Sequence, residues 1–149
     1  MKSDTMRAVG MAGGIILFAA IAAWLGLAHS CEQQGSGVIA GQVRIDPELA
    51  TKLAPTDVLF VIVRRPGGMP RPIAAKRIDN PQFPVSFEIT SKDVMVEGSE
   101  LRGMVDVIAR VDKDGTAGPP QPGDMEGRFE KNPTLPGARD IEIVINKVY

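Results

Sequence analysis

The sequence predicts an all-β fold, a two-layer sandwich of about seven antiparallel strands, placed behind one N-terminal apolar segment. Three observations carry that expectation. All twelve prolines lie at Pro47 or later, whereas Ala8–Ala28 is an uninterrupted uncharged run. From Val38 onward, short runs rich in Val, Ile and Phe recur at close intervals. The segments between them hold Pro, Gly, Asn and Asp, the residues that build tight turns.

The N-terminal run reads AVGMAGGIILFAAIAAWLGLA, and no charge occurs between Arg7 and Glu32. Twenty-one residues at about 1.5 Å each make a helix of roughly 31 Å, close to the hydrocarbon thickness of a bilayer. Lys2 and Arg7 precede it and Glu32 follows it, so the positive-inside bias places the later residues on the outer side. The same residues also describe a lipoprotein signal, with Leu27-Ala28-His29-Ser30 leading to Cys31 as the candidate lipidation site. Ser30 and the polar stretch Glu32–Gly37 suit that reading; Ala28, His29 and the long apolar run suit an uncleaved anchor. A third alternative is simple secretion. The expected organisation is an anchor or lipoprotein signal over 1–31, a flexible tether over 32–37 and an outer β-domain over 38–149. The expected location is the bacterial inner membrane with the domain in the periplasm, or a lipid anchor facing the periplasm.

In chain order, Val38–Ile45 ends in period-2 alternation, with Val43 and Ile45 on one side and Gln42 and Arg44 on the other. Asp57–Arg64 is nearly all apolar, which suits a central strand covered on both faces. Arg71–Asp79, Val85–Thr90, Gly103–Asp112, Met125–Glu130 and Asp140–Val148 supply the rest, and in the last Ile141, Ile143 and Ile145 alternate with Glu142, Val144 and Asn146. Two segments read as single helical turns: Asp46–Leu53, with a capping Asp before Pro47, and Ser91–Met95. The set describes an immunoglobulin-like sandwich.

Composition excludes much chemistry. One Cys and one His leave no disulfide, no C-x-x-C-H haem attachment, no zinc ribbon and no His-pair metal site. A net charge of −1 offers no overall attraction to nucleic acid. The only His precedes the domain, so no imidazole base serves its Ser or Thr residues, and neither catalytic residues nor a cofactor are expected. Asp112-Lys113-Asp114-Gly115 starts like a calcium loop, but Gly123 stands where the closing Glu belongs, so a hairpin turn is expected. Five Phe and one Tyr give little material for a small-molecule pocket.

From Ile39 to about Gly127 the chain resembles the C-terminal β-domain of c-type cytochrome biogenesis proteins of the CcmI/CycH kind. The matching stretches are Ile39–Val43 with Asp46–Ala50, Pro55–Val61, Gly67–Ala74, Phe83–Ile89 with Asp93–Met95, Ala109–Val111 with Gly115, and Pro119-Pro120-Gln121-Pro122-Gly123-Asp124 running on to Gly127. Full-length members carry two membrane helices and a helical-repeat region, and no such repeats occur in this chain. The resemblance implies a periplasmic β-domain associated with cytochrome c maturation or with a membrane respiratory complex. It implies no catalytic residues.

Two constellations stand out. Arg64, Arg65, Arg71, Lys76 and Arg77 are five basic residues with no acid among residues 58–78, a candidate partner-binding patch. Arg110 falls inside the apolar run Val105–Val111 and needs a carboxylate if buried. Asp57, Asp106 and Asp124 are candidates, with the buried pair Arg110–Asp124 the expectation. The functional expectation is a non-catalytic, membrane-tethered interaction domain that docks on a protein partner in cytochrome c maturation. The alternative is an accessory subunit of a respiratory complex, for which Gly10, Gly13 and Gly14 permit close helix packing.

Overall fold

The computed structural model describes residues 37–67 and 71–149. The expected anchor 1–31 with Cys31, the tether up to Ser36, and Gly68-Met69-Pro70 of the first hairpin lie outside the described residues. Among the described residues no helix is long and apolar enough to cross a membrane.

The strands are β1 (Ile39–Ile45), β2 (Val58–Arg64), β3 (Ala74–Asp79), β4 (Val85–Ile89), β5 (Asp106–Asp112), β6 (Met125–Arg128), β7 (Ile141–Ile145) and β8 (Lys147–Val148). They form a three-stranded sheet in the order β4-β1-β7 and a five-stranded sheet in the order β3-β2-β5-β6-β8. The one α-helical turn, α1 (Pro47–Ala50), starts where Asp46 caps it by accepting from Glu48 N–H, and a 3-10 turn at Ser91–Asp93 follows β4. Both short helical segments thus stand where the capping residues put them.

The expected antiparallel sandwich is corrected at one pair. β1 and β7 run parallel, with Gly41 opposite Ile141 and Ile45 opposite Ile145. Side-chain alternation is the same whichever way a neighbour runs, so direction is invisible to it. A parallel pair needs a crossover, and all of β2 to β6 lies between these two strands. The expected strand 140–148 is also divided: Asn146 N–H donates to the Glu126 carbonyl, and Lys147–Val148 then pairs with β6 of the other sheet. This switch raises the strand count to eight.

Alternation sorts the side chains. Leu59, Val61 and Val63 of β2, Val107, Ala109 and Val111 of β5, and Ile141, Ile143 and Ile145 of β7 meet Ile39, Val43 and Ile89 between the sheets. Each of these Leu, Val and Ile side chains removes apolar surface worth about 1.5–3 kcal/mol when fully buried. β2 is central as expected, and its opposite face is covered too, since Val58 and Phe60 are also buried. That second covering positions the candidate site.

Candidate functional site

On β2 and β5 the even-numbered residues point away from the core. Register lays them out in rows across the five-stranded sheet. Arg77, Phe60, Arg110, Glu126 and Lys147 are successive neighbours on β3, β2, β5, β6 and β8. The next row is Ala75, Ile62, Ile108 and Arg128, and Arg64 faces Asp106 beyond it. Apolar side chains therefore alternate with guanidinium groups on a face that would ordinarily be solvated.

This face is concave because the β5–β6 connection folds back over it. Asp112 accepts from Thr116 N–H, Asp124 accepts from Lys113 and Gln121 N–H, and Arg110 Nη2 donates to the Gly118 carbonyl at 2.7 Å. The Pro-rich stretch so pinned forms one wall with Pro119 and Pro120, Tyr149 closes another, and the groove encloses 430 Å³. That volume falls within the ~300–1,000 Å³ range of binding clefts.

Arg110 lies at its centre and is only 5% exposed. The expected partner, Asp124, is corrected: the nearest carboxylate is Asp112 on the same strand, with Oδ2 3.7 Å from Nε. Asp124 is buried elsewhere, spent on the two backbone donors of the turn. Residues two apart on one strand share a face, which brings Asp112 to Arg110; the turn that consumes Asp124 could not be read from spacing. Since 3.7 Å exceeds hydrogen-bond reach, Arg110 Nε is buried with no partner among the described residues. Burial, the hydrogen bond with Asp114 and the charge of Asp124 together push the Asp112 carboxyl above its ordinary value.

Both carboxylate oxygens of Glu126 are engaged. Its Oε1 accepts from Arg128 Nε at 2.9 Å and its Oε2 from Tyr149 Oη at 2.8 Å. The bond that Arg128 donates to Glu126 holds its guanidinium more firmly in the charged form. Arg64 is held loosely, 3.9 Å from Asp106. Arg71 borders the groove and makes no ion pair among the described residues. Sequence reading weighed Asp112 only as part of a turn and passed over Glu126, Arg128 and Tyr149 as site residues. Period-2 parity could have grouped Arg128 with Glu126, but only register sets them beside Arg110.

The five residues of the expected basic patch do not converge. Arg64 and Arg71 border the groove. Arg77 reaches the Gly115 carbonyl and Asp79, and its guanidinium stacks 5.6 Å from the Phe60 ring centroid. Lys76 has the opposite parity and pairs with Asp93 at 3.3 Å. Arg65 binds the carbonyl of Arg102 in the 91–105 connection. Among the described residues no group of three or more His, Cys, Asp or Glu is arranged to hold a metal ion. The Asp112–Gly115 segment is a turn in which Thr116 N–H is shared by Asp112 and Asp114.

The family model of the cytochrome c-type biogenesis protein H Ig-like domain matches residues 39–146. An uncharacterized protein of Aquifex aeolicus is 32% identical over 111 residues, covering 74% of this chain and 71% of the relative. Cytochrome c-type biogenesis protein CycH of Pseudomonas aeruginosa is 32% identical over 84 residues, which is 55% of this chain and 18% of CycH, so the chain corresponds to a small part of that relative. Among solved structures, an alternative pilotin from the type II secretion system of Vibrio cholerae is similar with a TM-score of 0.42 and 17% identity, over 74% of this chain and 96% of the pilotin. The family match runs from the first residue of β1 to the residue that follows β7, and by it the chain belongs to the family of the cytochrome c-type biogenesis protein H Ig-like domain.

Proposed function

We propose that this chain is a non-catalytic interaction domain that assists c-type cytochrome biogenesis, tethered through residues 1–31 to the inner membrane and facing the periplasm. The observation that carries the reading is the family match across seven of the eight strands, residues 39–146. Two further features support it. The apolar run ahead of the domain has the length and flanking charge of an outward-facing anchor or a lipoprotein signal ending at Cys31. The outer face of the five-stranded sheet offers a preformed concave surface lined by apolar and cationic side chains.

The test is deletion of the gene in the source organism, with haem-stained gels of the membrane and periplasmic fractions. Several c-type cytochromes should fall together and be restored by the full-length chain. Unchanged cytochrome levels, with the chain co-purifying at fixed ratio with one oxidoreductase, would instead make it a structural subunit. Intact mass of the purified chain separates the two tethers: loss of residues 1–30 with added acyl mass marks Cys31 as lipidated, and an unmodified N-terminus marks an anchor.

A further inference from the structure

We infer that the groove centred on Arg110 is the docking site for an acidic, extended segment of a partner polypeptide, one that presents carboxylates on either side of an apolar side chain. The inference rests on the interaction role proposed above and adds the surface and the chemistry of what it takes. Three features point to it.

The first is an unfilled donor. On a guanidinium, Nε–H and one Nη–H lie side by side as a fork matched to a carboxylate. In Arg110, Nη2 holds the Gly118 carbonyl and Nε has no partner, although the side chain is buried. A buried donor without an acceptor is costly to maintain; Asp112 Oδ2, 3.7 Å away, is beyond hydrogen-bond reach, and since Nε is closed off from solvent, an incoming carboxylate would satisfy it only by displacing part of its cover.

The second is the balance of charge. Arg64, Arg71, Arg110 and Arg128 border the groove, against Glu126 in its lining, Asp112 beside Arg110 and Asp106 beside Arg64, so four cations meet three carboxylates and Arg71 has none among the described residues. Glu126 is already filled by Arg128 and Tyr149. Asp106 stands 3.9 Å from Arg64, which leaves that guanidinium free to take a closer anion. The unspent capacity of the groove is therefore cationic.

The third is spacing. Arg64 and Arg110 are on adjacent strands two rows apart, with Phe60 opposite Arg110 and the Ile62–Ile108 row between them. Strands lie about 4.8 Å apart and residues of one face recur about every 6.8 Å, so the cationic points are farther apart than one carboxylate can bridge, and the interval is apolar. A free organic acid would meet a single guanidinium. An extended polypeptide with alternating acidic and apolar side chains meets them all.

The test uses the full-length chain in nanodiscs as bait for a random twelve-residue peptide library displayed on phage. Enriched sequences should carry two or more Asp or Glu flanking Leu, Ile or Phe. Their binding, measured by fluorescence anisotropy, should weaken roughly tenfold or more for the double variant Arg64→Gln/Arg71→Gln, the loss expected for a charge-assisted contact. These two side chains border the groove outside the core, and an unchanged thermal melt verifies that the variant folds. Arg139→Gln, in the connection before β7 and paired with Glu88 of β4 away from the groove, should bind as the parent does. Enrichment of peptides without acids, binding unaffected by the double variant, or no enrichment while decanoate alone binds would each overturn the inference. Failure here is separable from failure of the biogenesis role: a double variant that fully restores cytochromes in the deletion strain removes this surface and leaves the role standing.

Discussion

Gly127 of β6 and Val144 of β7 close one seam of the sandwich, so tightly that a Cβ on Gly127 would fall 2.6 Å from the Val144 carbonyl carbon and 2.9 Å from Ile145 Cα. Both neighbours are backbone and cannot swing aside. Gly127→Ala should therefore cost on the order of 1–3 kcal/mol, the range of forced overpacking. Gly118→Ala, whose nearest neighbour would be 3.9 Å away, serves as control. Urea unfolding of both variants checks this: equal midpoints would mean that the seam can open without penalty.

Arg110 and Asp112 form a buried pair whose members are not interchangeable. Arg110→Gln removes the bond to Gly118 that holds the Pro-rich wall and leaves Asp112, itself 1% exposed, without its cation. Stranding one member of a buried pair costs about 3–5 kcal/mol. Asp112→Asn keeps an oxygen for Thr116 N–H and relieves a carboxylate already pushed towards its neutral form. The order of melting temperatures should be parent, then Asp112→Asn, then Arg110→Gln well below; reversal of the two variants would refute this account.

The pH dependence of stability carries two opposite signatures. For Asp112 the folded carboxyl is raised from 3.8, so the folded chain binds more protons than the unfolded one and this group's contribution declines as pH rises from 3.8 through the folded value. For Asp93 burial pushes upward, but the Thr90 N–H and Lys76 pull harder and the carboxyl lies below 3.8. Its contribution is present above 3.8 and is lost as pH falls through the lowered value. Denaturation between pH 3 and 7 should show Asp112→Asn gaining on the parent as pH rises and Asp93→Asn losing ground. Parallel curves for both would show that neither group is linked to folding.

How much of this was legible in sequence follows from what each signal encodes. Periodicity encodes which face a residue occupies, so β2, β5 and β7 and their buried sets could be read directly from Leu59, Val107 and Ile141 and their partners. The capped turn at Asp46-Pro47 was equally local. Periodicity does not encode neighbours: the parallel pairing of β1 with β7 and the meeting of Arg110 with Glu126 depend on strand order and register. Clustering along the chain misled for the basic patch, because Lys76 and Arg77 are adjacent in sequence and occupy opposite faces of β3. The Arg110–Asp124 expectation failed for a related reason, since Asp124 belongs to a turn whose backbone donors claim it first.

The alternation in the last long strand can be tested one residue at a time. Ile143 is 1% exposed between the sheets, and its neighbour Val144 is 45% exposed on the outside of the three-stranded sheet. Ile143→Ala leaves a cavity beside Val43 between the sheets and should cost about 2–5 kcal/mol. Val144→Ala removes a similar side chain from solvent and should stay within about 0.5 kcal/mol of the parent. The two substitutions are adjacent in sequence and differ by one methylene, about 0.8 kcal/mol when buried, so a larger difference reports burial. Should Val144→Ala prove as costly as Ile143→Ala, then the outer face of β7 is covered in the native protein and a partner or another part of the chain packs there.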